Sequence, residues 1–402
     1  MKILDVKSIV LPYTYGLIAL MSLSPYFLWS SPQIIKITLS FALLITMFFL
    51  SYDFKINKKS LFLTLLYSFV IFFLQFSGEG VVLFISSLII LISLFLLLDN
   101  TVKYKSYLAF YNLFTLSLVP GLIIFIFIFI GFDIPWSHLD SQHELKSLSG
   151  LFYRNYIGTV VLSSQIFPVG SGEIFRFSGV FDEPGVVGTV TALLLVADGF
   201  RLKNYKSKIV FTAGLLSFSL TFYLLVLIFL LISKPRYLLY VLIPVCFFGI
   251  YLYEDAKQNP IINQYVIERF SKGFTDPASV DNRASECFVS QFNNFIDNGN
   301  VILGNGANAH ANTGCDVSSY LTIIYNHGFL GLGLVILFYV SMLLSVALRP
   351  RDLYGLLPFV LIFSMSAYQR PQVFSLWMIL IFWGGILFCN HSGIKSDKHE
   401  KT

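Results

Sequence analysis

Apolar runs of about membrane length recur along this chain, at residues 9–29, 33–50, 60–76, 81–98, 106–132, 186–200, 237–253, 318–347, 353–368 and 372–388, with a further run at 209–232. A helix needs about 20 apolar residues to cross about 30 Å of hydrocarbon, because in lipid each backbone polar group must be bonded within its own segment. Composition agrees: 56% of the 402 residues are hydrophobic and 12% are charged, against about 25% charged in an average soluble domain. Forty-two Phe, 22 Tyr and a mean hydropathy of +0.75 are more apolar surface than one water-facing core encloses, since single cores stop growing near roughly 250–300 residues. The reading is therefore an all-α polytopic membrane protein. The run MKILDVKSIVLPYTYGLIAL, with no small-residue cleavage site after it, reads as the first span rather than a signal peptide. The net charge of +5 is spread over loops rather than gathered into a stripe, so nucleic acid is not an expected partner.

Lys and Arg in short loops set the sidedness. Eighteen of the 27 basic residues fall into seven groups: Lys2 and Lys7; Lys55, Lys58 and Lys59; Lys103 and Lys105; Arg201, Lys203, Lys206 and Lys208; Lys234 and Arg236; Arg349 and Arg351; and Lys395, Lys398 and Lys401. All are assigned to the cytoplasm. Lys208 and Lys234 can share that side only if 209–232 enters the membrane and returns, as two half-helices turning at Ser217, Ser219 and Thr221. The competing reading, one 24-residue span, puts Lys234 and Arg236 outside. The hairpin gives about 12 membrane segments, both termini and the tail 389–402 in the cytoplasm, and two long external loops, 133–185 and 254–317. Loops beyond about 15 residues are usually functional or disordered, so function is sought there.

The first loop ends in Arg176-Phe177-Ser178-Gly179-Val180-Phe181-Asp182-Glu183-Pro184-Gly185, immediately before an apolar helix. Asp182 or Glu183 can cap that helix, Pro184 suits its first turn and Gly179 the bend before it. Capping leaves Arg176 unexplained, and a helix N-terminus with an Arg just upstream is also a place for an anion. The second loop reads Arg269-Phe270-Ser271, then Asp281-Asn282-Arg283, then Gly304-Asn305-Gly306-Ala307, leading into Ser318-Ser319-Tyr320-Leu321 and Gly328-Phe329-Leu330-Gly331.

In that order, over about residues 170–345, these motifs resemble the O-antigen and capsular polysaccharide repeat-unit polymerases (Wzy type), of the superfamily that also holds the O-antigen ligases. The resemblance implies a metal-independent glycosyltransferase without cofactor. Such an enzyme joins undecaprenyl-pyrophosphate-linked glycans on the periplasmic face of the bacterial inner membrane, beside a chain-length regulator and a flippase. Superfamily ligases carry a His-Asn pair just ahead of the Tyr-Leu, where this chain has Val317 and Ser318, and His310 lies ten residues before Tyr320. This favours polymerase over ligase. A lipid-linked sugar flippase is the third reading, but transporters place charge at mid-membrane and often show repeats.

On this reading the pyrophosphate leaving group needs preorganised cations, and Arg supplies a planar fork that stays charged. Arg176 and Arg283 are the first choices, with Arg154, Arg269 and Arg370 behind them. The acceptor hydroxyl needs a base, for which Asp182, Glu183, Glu286 and Asp316 are the available carboxylates and Glu183 is preferred. Asp182 stands beside Glu183 as a catalytic candidate, while His310, Glu286 and Asp316 are expected to help hold substrate. Asp133, His138, Asp140 and His143 crowd one stretch but are not read as a metal site, since no helix or strand is expected to fix them. Cys287 and Cys315 share one external loop, 28 residues apart, where a disulfide and a pair of free thiols are both open.

Overall fold

The computed structural model describes residues 9–29, 44–45, 57–75, 82–141, 150–169, 172–235, 284–315, 317–346 and 350–399, with isolated positions 239, 243, 246 and 247. In chain order its helices are α1 (Val10–Met21), α2 (Lys58–Gln75), α3 (Val82–Leu97), α4 (Asn100–Phe129), α5 (Pro184–Ala197), α6 (Tyr205–Leu216), α7 (Leu220–Ser233), α8 (Glu286–Asn298), α9 (Leu321–Ser345), α10 (Pro350–Gln369) and α11 (Leu376–His399). Five short strands lie between α4 and α5: β1 (Ser137–Asp140), β2 (Phe152–Asn155), β3 (Val160–Leu162), β4 (Ile166–Val169) and β5 (Gly172–Phe175). The fold is mostly helical, as expected. The expected spans at 33–50, apart from two positions, and 237–253, apart from four, lie outside the described residues, as does the loop through residue 283.

Two of the described helices, α4 and α9, are long and apolar enough to cross a membrane. Only 33% and 28% of their most apolar windows are buried inside the protein. Leu116, Ile126 and Leu344 are among the apolar side chains they turn outward. Surfaces of that kind need lipid or another protein against them.

The chain divides into two compact units, one made of residues 1–22, 30–113 and 283–402, the other of 23–29 and 114–282. In the first, α2 packs on α3 and α9, and α11 on α1 and α10. Aromatic rings fill these seams: Tyr67 lies 5.4 Å from Phe338 and 5.9 Å from Phe374. Lys103, in the first turn of α4, is buried with its ammonium 4.3 Å from the Trp383 ring centroid, where the ring face offsets lost hydration.

In the second unit the segment 133–185 is folded rather than a plain loop. Strands β1, β2 and β3 form an antiparallel sheet with Arg154 opposite both His138 and Val161, and β4 and β5 form a hairpin with Pro168 opposite Glu173. Successive strand residues face opposite sides. Tyr153 therefore turns inward onto Trp29, Val160 and Leu162, while Arg154 turns outward.

Helix α5 is apolar all round and buried along nearly its whole length, packed on both α6 and α7. The run 209–232 is broken at Ser217–Ser219, with Phe218 in the left-handed region at φ 46°. Its polar groups are satisfied locally: Ser217 Oγ donates to Gly214 O at 2.7 Å and Ser219 N to Ser217 Oγ at 3.3 Å. Lys234, at the far end of α7, donates through Nζ to Gly199 O, just beyond α5, and lines one cavity with Lys208 of α6. The chain thus turns back on itself at this break, bringing Lys208 and Lys234 to one cavity.

Candidate functional site

The segment 176–185 is laced onto its surroundings by backbone bonds. Phe177 N donates to Leu216 O at 2.9 Å, Val160 N to Gly179 O at 2.8 Å and Tyr26 N to Val180 O at 2.8 Å, while the Ser178 hydroxyl donates to Val160 O. Gly179 carries φ +55° at the bend, as the sequence required. Phe177, Val180 and Phe181 are buried, Phe181 stacking on Phe114 with centroids 5.4 Å apart. With the apolar residues inside, Arg176, Asp182 and Glu183 remain half-buried at the surface.

Each of these three has a defined setting. Arg176 donates from Nη2 to Phe218 O at 3.3 Å, in the break just beyond the C-terminus of α6, where carbonyls lack helical partners and the dipole is negative. Asp182 accepts the phenolic hydrogen of Tyr153. Burial first, and then the charges of Asp182 and Glu183, hold that phenol well above the ordinary tyrosine range, so Tyr153 remains a donor. Glu183 is the N-cap residue of α5, with Pro184 at its first position, yet its side chain does not cap the helix. The capping role expected for Asp182 or Glu183 is therefore not taken by the Glu183 side chain.

Arg154 sits on the opposite face of β2 from Tyr153, paired with Glu173 at 2.9 Å and 3.4 Å from the Tyr156 hydroxyl, with its guanidinium 5.1 Å from the Trp136 centroid. It ties the three-stranded sheet to the β4–β5 hairpin. His138 and Asp140 are held on strand β1, contrary to expectation, 3.0 Å apart and exposed. His143 lies outside the described residues, and among those described no three His, Cys, Asp or Glu gather to hold a metal.

In the other unit Cys287 and Cys315 are joined by a disulfide, Cα atoms 5.7 Å apart, beside a backbone bridge between Ala284 and Val317. Glu286 is exposed in the first turn of α8, where a carboxylate suits the helix dipole, and Ser285 caps that helix by accepting from Phe288 N at 3.3 Å. Arg269, Arg283 and Asp316 lie outside the described residues. Arg370 is buried, 8% exposed, and its turn is tied to the start of α9 by Tyr320 N donating to Tyr368 O at 3.1 Å.

His310 binds a residue that the motifs did not single out. Its amide donates to Asn326 Oδ1 at 3.0 Å, and its Nδ1 lies 2.9 Å from Asn326 Nδ2. Asn326 is buried in α9, two residues before Gly328, where the helix is interrupted. The available signal was the polar pair Asn326-His327 inside an apolar run. Tyr153 was missed for a different reason: nothing in sequence distinguishes it from the other 21 of the 22 tyrosines.

Compared with family models, curated proteins and solved structures, the chain matches none.

Proposed function

We propose that this chain is a polymerase that joins undecaprenyl-pyrophosphate-linked oligosaccharide repeat units into O-antigen or capsular polysaccharide on the periplasmic face of the bacterial inner membrane. On this reading it has about 12 membrane segments and both termini in the cytoplasm. The observation that carries the proposal is the placing of Arg176, Asp182 and Glu183 together on one half-buried segment, rigidly bonded on both sides, at the N-terminus of a buried helix. Such a setting gives a cation and two carboxylates fixed positions at the edge of an apolar region, as transfer from a lipid pyrophosphate to a sugar hydroxyl requires.

In this mechanism Arg176 meets the charge that develops on the departing pyrophosphate. Asp182, oriented by Tyr153, holds the acceptor sugar, and Glu183 takes the proton of the attacking hydroxyl as the new C–O bond forms and the bond to pyrophosphate breaks. Arg283 is assigned with Arg176 to the pyrophosphate, and Arg154, Arg269, Arg370, Glu286, Asp316 and His310 to substrate binding.

The test is an electrophoretic ladder of surface polysaccharide. A strain lacking this chain is expected to show a single repeat unit on its acceptor lipid, restored to a full ladder by the wild-type chain but not by Arg176→Lys or Glu183→Gln variants present at normal level in the membrane. Absence of any attached glycan while polymer accumulates would indicate a ligase instead. Full ladders in both variants would remove these residues from the site.

A further inference from the structure

Helices α5, α6 and α7 of the second unit end around a cavity of about 890 Å³ that is far from neutral. Arg201, Lys203, Lys208 and Lys234 line it together with Phe200 and Phe211. These four cations come from three places in sequence: the connection after α5, the first turn of α6, and the residue following α7. The hairpin return brings them together.

The connection is built to hold this shape. After α5 the chain stops with Gly199 N donating to Val196 O at 2.9 Å and Phe200 N to Leu195 O at 2.6 Å. These are the two bonds of the Schellman stop, with Gly199 left-handed at φ 61°. Phe200 is also left-handed, at φ 53°, and is fully buried against Phe211 and Phe229. A bulky residue is held in that region only where its packing offsets the strain. The next residue is Arg201, the first of the four cations.

The charges press on one another. Lys234 is held below the ordinary lysine range by burial first and by Arg201 second, with Asp198 opposing. Asp198, which accepts from Ser207 Oγ at 3.2 Å, is an acidic group beside Arg201 and Lys234. Lys203 and Lys208 are exposed and make no ion pair among the described residues. A cavity lined by both cations and aromatic rings fits a ligand with an anionic head and an apolar body. The volume lies within the range of roughly 300–1,000 Å³ that small-molecule sites occupy. The apolar body has somewhere to go, since Leu231 and Ile232 near the end of α7 are 55% and 53% exposed.

We propose that this cavity is a binding site for the phosphate-bearing headgroup of an anionic lipid, with the lipid chains leaving along the outer apolar surface of α6 and α7. In the topology argued from the basic residues, its mouth faces the cytoplasmic leaflet. The site does not rest on the polymerase reading, only on the chain being embedded in lipid. Basic pockets between membrane helices on that side are suited to such headgroups, each cation near the surface adding to the attraction for anionic lipid.

The experiment uses full-length protein in neutral detergent, titrated with phosphatidylglycerol or with phosphatidylcholine of identical chains, and native mass spectrometry to count lipid retained. Phosphatidylglycerol is expected to be held at least about tenfold better, and that preference to fall by about tenfold in Lys203→Gln/Lys208→Gln. It is expected to persist in Lys203→Arg/Lys208→Arg, which keeps both charges. Equal retention of the two lipids by the wild-type protein overturns the proposal without need of any variant, and so does a preference that the glutamine pair leaves unchanged. Inorganic pyrophosphate at equal concentration is expected to leave the lipid bound. If it strips the lipid, the ligand is a soluble anion and the proposal fails. Because lipid is counted and not polymer, failure here leaves the ladder experiment untouched.

Discussion

Tyr153 shows how one side chain can serve the core and the site together. Its ring packs on Trp29 at 5.0 Å between centroids, and its hydroxyl ends on Asp182. Tyr153→Phe keeps the packing and removes the donor, and a hydrogen bond to a charged acceptor is worth roughly 1.5–3 kcal/mol. The variant is therefore expected to melt at a lower temperature and to give a weaker ladder at normal protein level. The pH dependence carries a sign. Folding raises the phenol above its ordinary value of 10.0, so the stabilisation is complete below that value and is lost as the unfolded chain, but not the folded one, gives up its proton above it. The gap in melting temperature between wild type and Tyr153→Phe should thus narrow between about pH 8 and about pH 11. A constant gap would mean that the phenol is not shifted. Arg176, Asp182 and Glu183 were legible in sequence because charge is scarce in an apolar chain. Tyr153 was not, since its role arises from a sheet of three- and four-residue strands too short for alternation to register.

At the level of elements, α9 is a membrane-length helix with an interruption near its N-terminal end. Gly328 adopts φ 64° and ψ −172°, and the backbone groups released there are bonded by the loop 301–306. Asn305 N and Gly306 N donate to Tyr325 O and Asn326 O at 3.0 and 2.8 Å, and Phe329 N and Leu330 N donate to Val301 O and Ile302 O at 2.9 and 3.1 Å. A Cβ on Gly328 would lie 2.1 Å from Ile302 O, whereas one on Gly333, in the same helix, meets nothing within 4 Å. Gly328→Ala is accordingly expected to cost at least about 3 kcal/mol, through a backbone conformation open essentially to glycine alone and a clash with main chain. Gly333→Ala should be neutral. Comparable melting temperatures for the two variants would show that the loop does not dock in this way. The glycines were visible in sequence as Gly304-Asn305-Gly306 and Gly328-Phe329-Leu330-Gly331, but which glycine meets which strand of backbone depends on loop closure across more than 20 residues. The disulfide between Cys287 and Cys315 restrains the same segment and in the chain-entropy model contributes about 3 kcal/mol.

For the molecule as a whole, the counting of Lys and Arg gave a topology that labelling can check. In a background lacking Cys246 and Cys389, a cysteine at Asp140, whose side chain is 89% exposed, should react with an impermeant reagent added to intact cells. A cysteine at Ser233 should react only after the membrane is opened. Reaction of Ser233→Cys from outside would turn 209–232 into a single crossing and reverse everything after it. The helices themselves were readable from apolar length, and the return of 209–232 from parity, because both signals are carried by composition over 15 residues or more. What composition could not supply was the folding of 133–185 into two small sheets, or the embrace of α9 by its own loop. The bend at Ser217–Ser219 also bears on how the chain is made. To an insertion machinery that weighs each emerging segment by hydrophobicity, the 24 residues from 209 to 232 present themselves as one ordinary crossing. What holds the bend is α5, whose Gly188 lies so close to Ser219 that a Cβ there would meet the serine Cβ at 2.3 Å. In synthesis α5 emerges first, with only a short basic connection before α6. The order of translation therefore has the template in place before the segment that must fold against it, and on the proposed topology the orientation of every later segment rests on that sequence of events.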